Sequence, residues 1–380
     1  MPYTFLLEDL AGNQVSELPG ATSKQFTRAL CSMSTAGVVV PLWHEFADFM
    51  LQGDALLKVV DINEDTGSRV TCFHGRLVTA EEVAEAGKEQ VSATFADGFW
   101  ELLRRLCGKS TTGYIGGTPL APILATQVFT DLFAAAEAEA PLGIRLGSVT
   151  PTTVANVATG PHFYAKIGEV LAQIAAVLGG PDWRVDPIDK VATSNPSISR
   201  YCEMIVAPVI GQTRLDQPFE YGTGRLNVRS YRRGVSNEGT ATRLFNLPDQ
   251  FPEGAGAVVS ASDATAQARR GLLEDVVAAA LTVNQMRQAL VDLHLSVRKG
   301  ARQTITFQPV NDLSGERLPR LRTDYDVGDF LPFRAAIERS EDDEVVFDRR
   351  IDSIVRVYQV AVQVDPESGA DQPTLTVSPS

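Results

Sequence analysis

Three stretches of the chain carry residue types that could do chemistry. Gly108-Lys109-Ser110 ends like a phosphate-binding loop, in which backbone N–H groups cradle phosphate oxygens. That motif also needs a glycine five positions before Gly108, and Leu103 stands there. The fragment therefore reads as a helix C-cap with a polar tail. Asp61-Ile-Asn-Glu-Asp65-Thr-Gly67 places oxygen ligands at alternate positions, as calcium loops do. Its glycine comes one place late, and the twelfth position is Cys72, which cannot act as a bidentate oxygen ligand. A hairpin turn explains Asn63, Asp65 and Gly67 without a metal. His44, His74, His162 and His294 lie far apart, and neither a zinc-binding H-E-x-x-H nor a nucleophile elbow is present. Each is expected at the surface or half-buried. Cys31, Cys72, Cys107 and Cys202 form no C-x-x-C pair and have no histidine at ligand spacing, so they read as reduced thiols. No catalytic residue, no cofactor site and no metal site is assigned.

Two polar constellations remain. Leu321-Arg-Thr-Asp-Tyr-Asp-Val-Gly-Asp-Phe-Leu-Pro-Phe333 reads as a tight turn feeding an outgoing strand. Gly328 supplies a backbone conformation that other residues adopt at a cost, and Asp324, Asp326 and Asp329 can accept from nearby backbone N–H groups. With Tyr325 these form a structural turn suited to building a barrel. Arg229, Arg232, Arg233 and Arg243 form a small basic cluster in an acidic chain, a candidate subunit interface. Glu341-Asp-Asp-Glu344 reads as a solvated charge run.

The elements that would position these residues fall into three blocks. Residues 1–95 read as strands and hairpins, with Leu56–Asp61 and Ser68–His74 as hairpin arms and a short helix within Trp43–Leu51. Residues 96–195 turn helical. Phe99, Leu102, Leu103 and Leu106 recur at helical spacing, as do Leu124, Val128 and Leu132, and a third helix is expected over His162–Leu178. Trp183-Arg-Val185 returns as a strand. Residues 196–380 resume strand character at Tyr201–Ala207 and Asn227–Arg233. A helical segment near 262–299 interrupts them, with Ser262-Asp263 as one N-cap and Thr282 to Gln285 as a capping box. The fold class expected is α+β.

Composition narrows the function. The chain has 380 residues, 34 Lys and Arg against 47 Asp and Glu, and a formal net charge of −13. That balance opposes a protein that wraps nucleic acid, because phosphate binding is driven by Lys and Arg. No signal-like N-terminus and no membrane-length apolar run is visible, so cytoplasmic synthesis and no membrane insertion are expected.

The order of parts carries a resemblance. A β-rich start whose hairpin reaches Phe73-His-Gly-Arg76 leads into Phe95-Ala-Asp-Gly-Phe-Trp-Glu-Leu-Leu-Arg-Arg105. An inserted region ending in Gly179-Gly-Pro-Asp-Trp183 follows, then Asn227-Val-Arg-Ser-Tyr231, the helix from Thr282, and Tyr325-Asp-Val-Gly-Asp329. This arrangement, spread over nearly the whole chain, resembles the tail-hub proteins of long-tailed bacteriophages, especially the minor tail proteins of actinobacterial siphophages. The resemblance implies two tail-tube-like antiparallel β-barrels with an inserted α/β domain, assembled as a homotrimer at the tail tip of the virion. It implies a structural protein that matches the sixfold tube to a threefold tip. The ring would enclose a channel for DNA, which passes without specific binding, and for the tape-measure protein. Expected partners are the distal tail or tail tube protein and other minor tail proteins. The acidic balance suits such a channel, because like charge limits adhesion, and exposed strand edges suit subunits that continue one another's sheets. The alternatives are a hexameric distal tail ring protein and, from another class, a cell-wall-degrading tail hydrolase.

Overall fold

The computed structural model describes residues 3–63, 66–85, 87–117, 123–151, 156–157, 159–176, 180–222, 227–247, 258–277, 284–310, 319–341, 344–365 and 371–379. Among these the architecture is mostly antiparallel β-sheet with few helices. Alternating apolar positions drive it. In Thr35–Pro41 the side chains of Ala36, Val38 and Val40 are buried while their neighbours are half-exposed, the period-2 signature of a sheet with one core face.

The two β-rich blocks share one sheet of 13 strands. Its N-terminal half runs Gln14–Glu17, Tyr3–Asp9, Ala55–Ile62, Arg69–Glu85, Lys88–Ala96, Thr35–Pro41 and Ser23–Ala29 in spatial order. The C-terminal half runs Glu344–Val364, Asp371–Pro379, Arg302–Pro309 and Val228–Ser236. Phe330–Glu341 pairs with the first part of Glu344–Val364, and Phe219–Tyr221 lies parallel to Phe330–Glu341. The halves join where Gln359–Val364 runs antiparallel to Ser23–Ala29, with Val362 opposite Phe26. The pairing among the described residues branches at Glu344–Val364, which has three partner strands, and no closed barrel forms from it. That strand is shared along its length: Glu344–Arg356 pairs with Phe330–Glu341, and Gln359–Val364 pairs with Ser23–Ala29. A single apolar core follows the sheet from Phe5, Leu7 and Phe73 to Phe307, Phe333 and Val377.

A second core lies under the inserted region. Helix Ala125–Glu139 buries Val128, Phe129, Leu132 and Phe133, and helix Ile167–Ala176 buries Val170, Leu171 and Ile174. Both cover a three-stranded sheet of Ile144–Val149, Ser199–Ala207 and Asp182–Ala192. Phe99 stacks on buried Trp183 with ring centroids 4.2 Å apart. Two expected helices are shorter than their apolar spacing suggested. The first covers only Phe99–Leu102, because Leu106–Cys107 pairs instead with Ala165–Lys166. The third begins at Ile167, because His162 belongs to a strand opposite Tyr114.

The segment 237–301 hangs from the tip of the Val228–Ser236/Arg302–Pro309 hairpin, whose last pair is Ser236 with Arg302. It has its own small core of Ala241, Leu244, Val277, Val291 and Leu295. Helix Ala264–Arg270 is capped as its sequence suggests, with Asp263 accepting from the Ala266 N–H at 2.8 Å. Thr282 of the expected capping box lies outside the described residues, and that helix is described over Asn284–Arg298. No helix among the described residues is long and apolar enough to cross a membrane.

Candidate functional site

A densely connected polar site forms around the 321–330 turn. Each carboxylate of the turn accepts a local backbone N–H: Arg320 donates to Asp324 at 2.6 Å, Val327 to Asp326 at 2.8 Å, and Asp326 to the second oxygen of Asp329 at 2.9 Å. Tyr325 turns inward, and its buried ring meets Phe219 edge-on at 5.7 Å. Gly328 has φ +98°, and a Cβ built on it would lie 2.7 Å from the Ile210 carbonyl oxygen. The segment 210–214 therefore crosses the turn backbone to backbone. Gln212 N–H donates to Asp329 Oδ1 at 2.7 Å, and Phe330 N–H donates to the Gln212 carbonyl at 2.9 Å.

Arg28 enters this turn from the far side of the sequence. Its Nε and Nη2 donate to the two oxygens of Asp326 at 3.0 and 2.9 Å, a bidentate fork. Nη2 also donates to Asp186 at 2.7 Å, and Nη1 to the Cys72 carbonyl at 3.2 Å. Arg184 donates to the second Asp186 oxygen at 2.8 Å and to the Val327 carbonyl at 2.9 Å. Arg28 is 2% exposed. Burial opposes its charge, and the Asp326 and Asp186 carboxylates overcome that, raising its pKa. Burial likewise pushes the Asp186 carboxyl up, but Arg28, Arg184 and Arg322 hold it down at about 2. The junction ties the N-terminal sheet (Arg28), the inserted region (Asp186, Arg184) and the closing strands (Asp326). A second tie lies beside it: Arg356 donates to Asp182 and to the Ile210 carbonyl, and its Nε donates to the Gly328 carbonyl at 3.2 Å. Such a site can hold three blocks in register. Asp182, Asp186, Asp326 and Asp329 each face an arginine, an arrangement for positioning.

The other residues singled out in the sequence do not converge. Arg229, Arg232 and Arg233 are exposed on Val228–Ser236, the terminal strand of the sheet, where Arg233 donates to Gln303 at 2.6 Å. Arg243 sits in the separate sheet of the 237–301 segment, 3.5 Å from Glu274, so the four arginines are not one cluster. Gly108 does not cap a helix. It follows the Leu106–Cys107 strand, and a Cβ there would overlap the His162 carbonyl oxygen. Lys109 pairs with Glu139 at 2.6 Å. Asp61 is buried against Arg320, while Glu64 and Asp65 lie outside the described residues. No group of three metal-ligating side chains occurs among the described residues. Contrary to expectation, His74 is buried, with Nε2 3.0 Å from Glu8. Burial pushes its pKa down, and Glu8 opposes that shift. Cys72, Cys107 and Cys202 are buried and free, and Cys31 is free at the surface. The run 341–344 straddles a hairpin whose residues 342–343 lie outside the described residues.

Arg28 and Asp186 were not singled out by sequence reasoning. A faint signal existed, since Phe26 and Arg28 share one phase of the strand Ser23–Ala29 and so point to the core.

No family model and no curated protein sequence matches the chain. Comparison with solved structures finds likeness over its whole length. A tail protein from Neisseria meningitidis aligns with 100% of this chain and 97% of its own at TM-score 0.55 and 13% identity. The 43 kDa tail protein of prophage MuSo2 from Shewanella oneidensis aligns over 99% and 98% at TM-score 0.58 and 12% identity. The prophage tail protein gp18 from Listeria monocytogenes aligns over 99% and 94% at TM-score 0.53 and 10% identity. The chain has the fold of these tail proteins.

Proposed function

We propose that the chain is a structural tail hub of a long-tailed phage of the actinobacterial siphophage type. In this reading it assembles as a homotrimer at the distal end of the tail tube. Each subunit presents two tail-tube-like β units, the halves of its continuous sheet, so three subunits offer six such units to a sixfold tube. The enclosed channel passes DNA and the tape-measure protein, and the outer surfaces hold the distal tail or tube protein and other tip components. The chain acts by assembly, without catalysis.

The observation that carries this reading is end-to-end likeness: three tail proteins share the fold over at least 94% of either chain. The buried Arg28 junction supports it, because a ring subunit must keep its two sheet halves and its insertion in fixed relative position. Exposed Arg229, Arg232 and Arg233 on a terminal strand are proposed to meet the neighbouring subunit. Gold-labelled antibody against the chain, applied to purified particles, should mark the distal tail end. Label on the head, or none on intact particles, would refute the proposal.

A further inference from the structure

The outer face of the continuous sheet is uncharged where its two halves meet. One row of laterally paired positions crosses six strands as Gln372, Gln363, Gln25, Gly37, Thr94 and Thr79. The glutamines and Thr94 and Thr79 are exposed, while Phe26, Val362 and Val38, on the alternate phase, are buried in the core. The next row reads Thr374, Ala361 and Thr27, and the Thr27 and Thr35 hydroxyls lie 3.1 Å apart. The join is concave and encloses about 280 Å³. Among the described residues charge flanks this patch, at Glu81 opposite Ser92, Arg76 opposite Ala96, Arg356 opposite Ser378 and Arg232 opposite Thr306. This is a distinctive surface for a chain with 34 basic and 47 acidic residues.

Resting on the tail-hub reading, we infer that this amide- and hydroxyl-lined face is the surface along which double-stranded DNA moves. Lys or Arg on such a face would capture phosphates and release their counterions, a sequence-independent attraction that holds DNA in place. Asp or Glu would raise an electrostatic barrier along a narrow path. Gln and Thr do neither, since their hydrogen bonds exchange readily with water. The neutrality of this face, and not the net charge of −13, is what keeps DNA from sticking there. The acidic residues serve the remaining surface.

The test uses particles carrying Gln363→Lys, Thr94→Lys, Gln363→Glu or Gln363→Ala, with tails counted by electron microscopy and DNA release timed at two salt concentrations. The lysine variants should assemble in wild-type numbers and release DNA at least tenfold more slowly at low salt. High salt should restore the rate, a rescue that a packing defect would not show. Gln363→Ala should stay within twofold of wild type. Wild-type release from assembled lysine variants would overturn the inference. So would failure of the lysine or glutamate variants to assemble, since the face would then be a protein contact, with a subunit or with another tail component. Absence of the wild-type chain from tails would instead overturn the hub reading itself.

Discussion

Arg28 and Asp326 are 298 residues apart in sequence and are joined by two hydrogen bonds of 3.0 and 2.9 Å. This one fork ties the third strand of the chain to the turn that launches the closing strands. Asp186 shares the same guanidinium, so the inserted region is bound into the same knot.

Replacing Arg28 with Met should be costly, because two buried carboxylates lose their shared partner. Breaking one member of a buried ionic network costs about 3–5 kcal/mol. Chemical denaturation should show a loss of that order. Arg28→Lys should also destabilise, since an ammonium cannot reproduce the fork.

Gly328→Val should impair folding and assembly. The residue sits at φ +98°, and an added Cβ would meet the Ile210 carbonyl at 2.7 Å. Positive φ alone costs a non-glycine residue about 1–3 kcal/mol. Soluble yield and thermal midpoint should both fall, and wild-type values for both would show the turn to be less constrained than its geometry indicates.

Acid should loosen the junction through Asp186. Its folded pKa of about 2 lies below the ordinary 3.8, so the unfolded chain binds the proton more readily. The stabilisation is fully present above pH 3.8 and is lost as pH falls through about 2. It amounts to about 2 kcal/mol, one pKa unit being worth about 1.4 kcal/mol. Stability measured down this window should fall more steeply in wild type than in Asp186→Asn, whose slope lacks this contribution.

These residues show what the sequence made legible and what it withheld. Asp324, Gly328 and the Asp263 cap act locally, so residue type and spacing were enough to locate them. Arg28–Asp326 leaves no local trace, because a partner 298 residues away is chosen by the tertiary fold. The same cause shortened the helices at Phe99 and His162. Leu106–Cys107 and His162 had helical spacing, but pairing with distant strands outweighed local preference. The join of the two sheet halves was equally hidden, since Ser23–Ala29 carries no mark of its pairing with Gln359–Val364.

Reversing Arg229, Arg232 and Arg233 to Glu should leave the subunit folded, because all three are exposed. Exposed substitutions usually move stability by no more than about 0.5 kcal/mol. The proposed trimer should nevertheless dissociate in sizing and light-scattering measurements. An unchanged oligomer would move the interface elsewhere.

The trimeric hub reading is tested most directly by a symmetry-resolved reconstruction of the tail tip. It predicts three copies of this 41.0 kDa chain in a ring capping the tube, with the sheets continuing around the channel. Six equivalent copies, or a single copy with no ring, would contradict it.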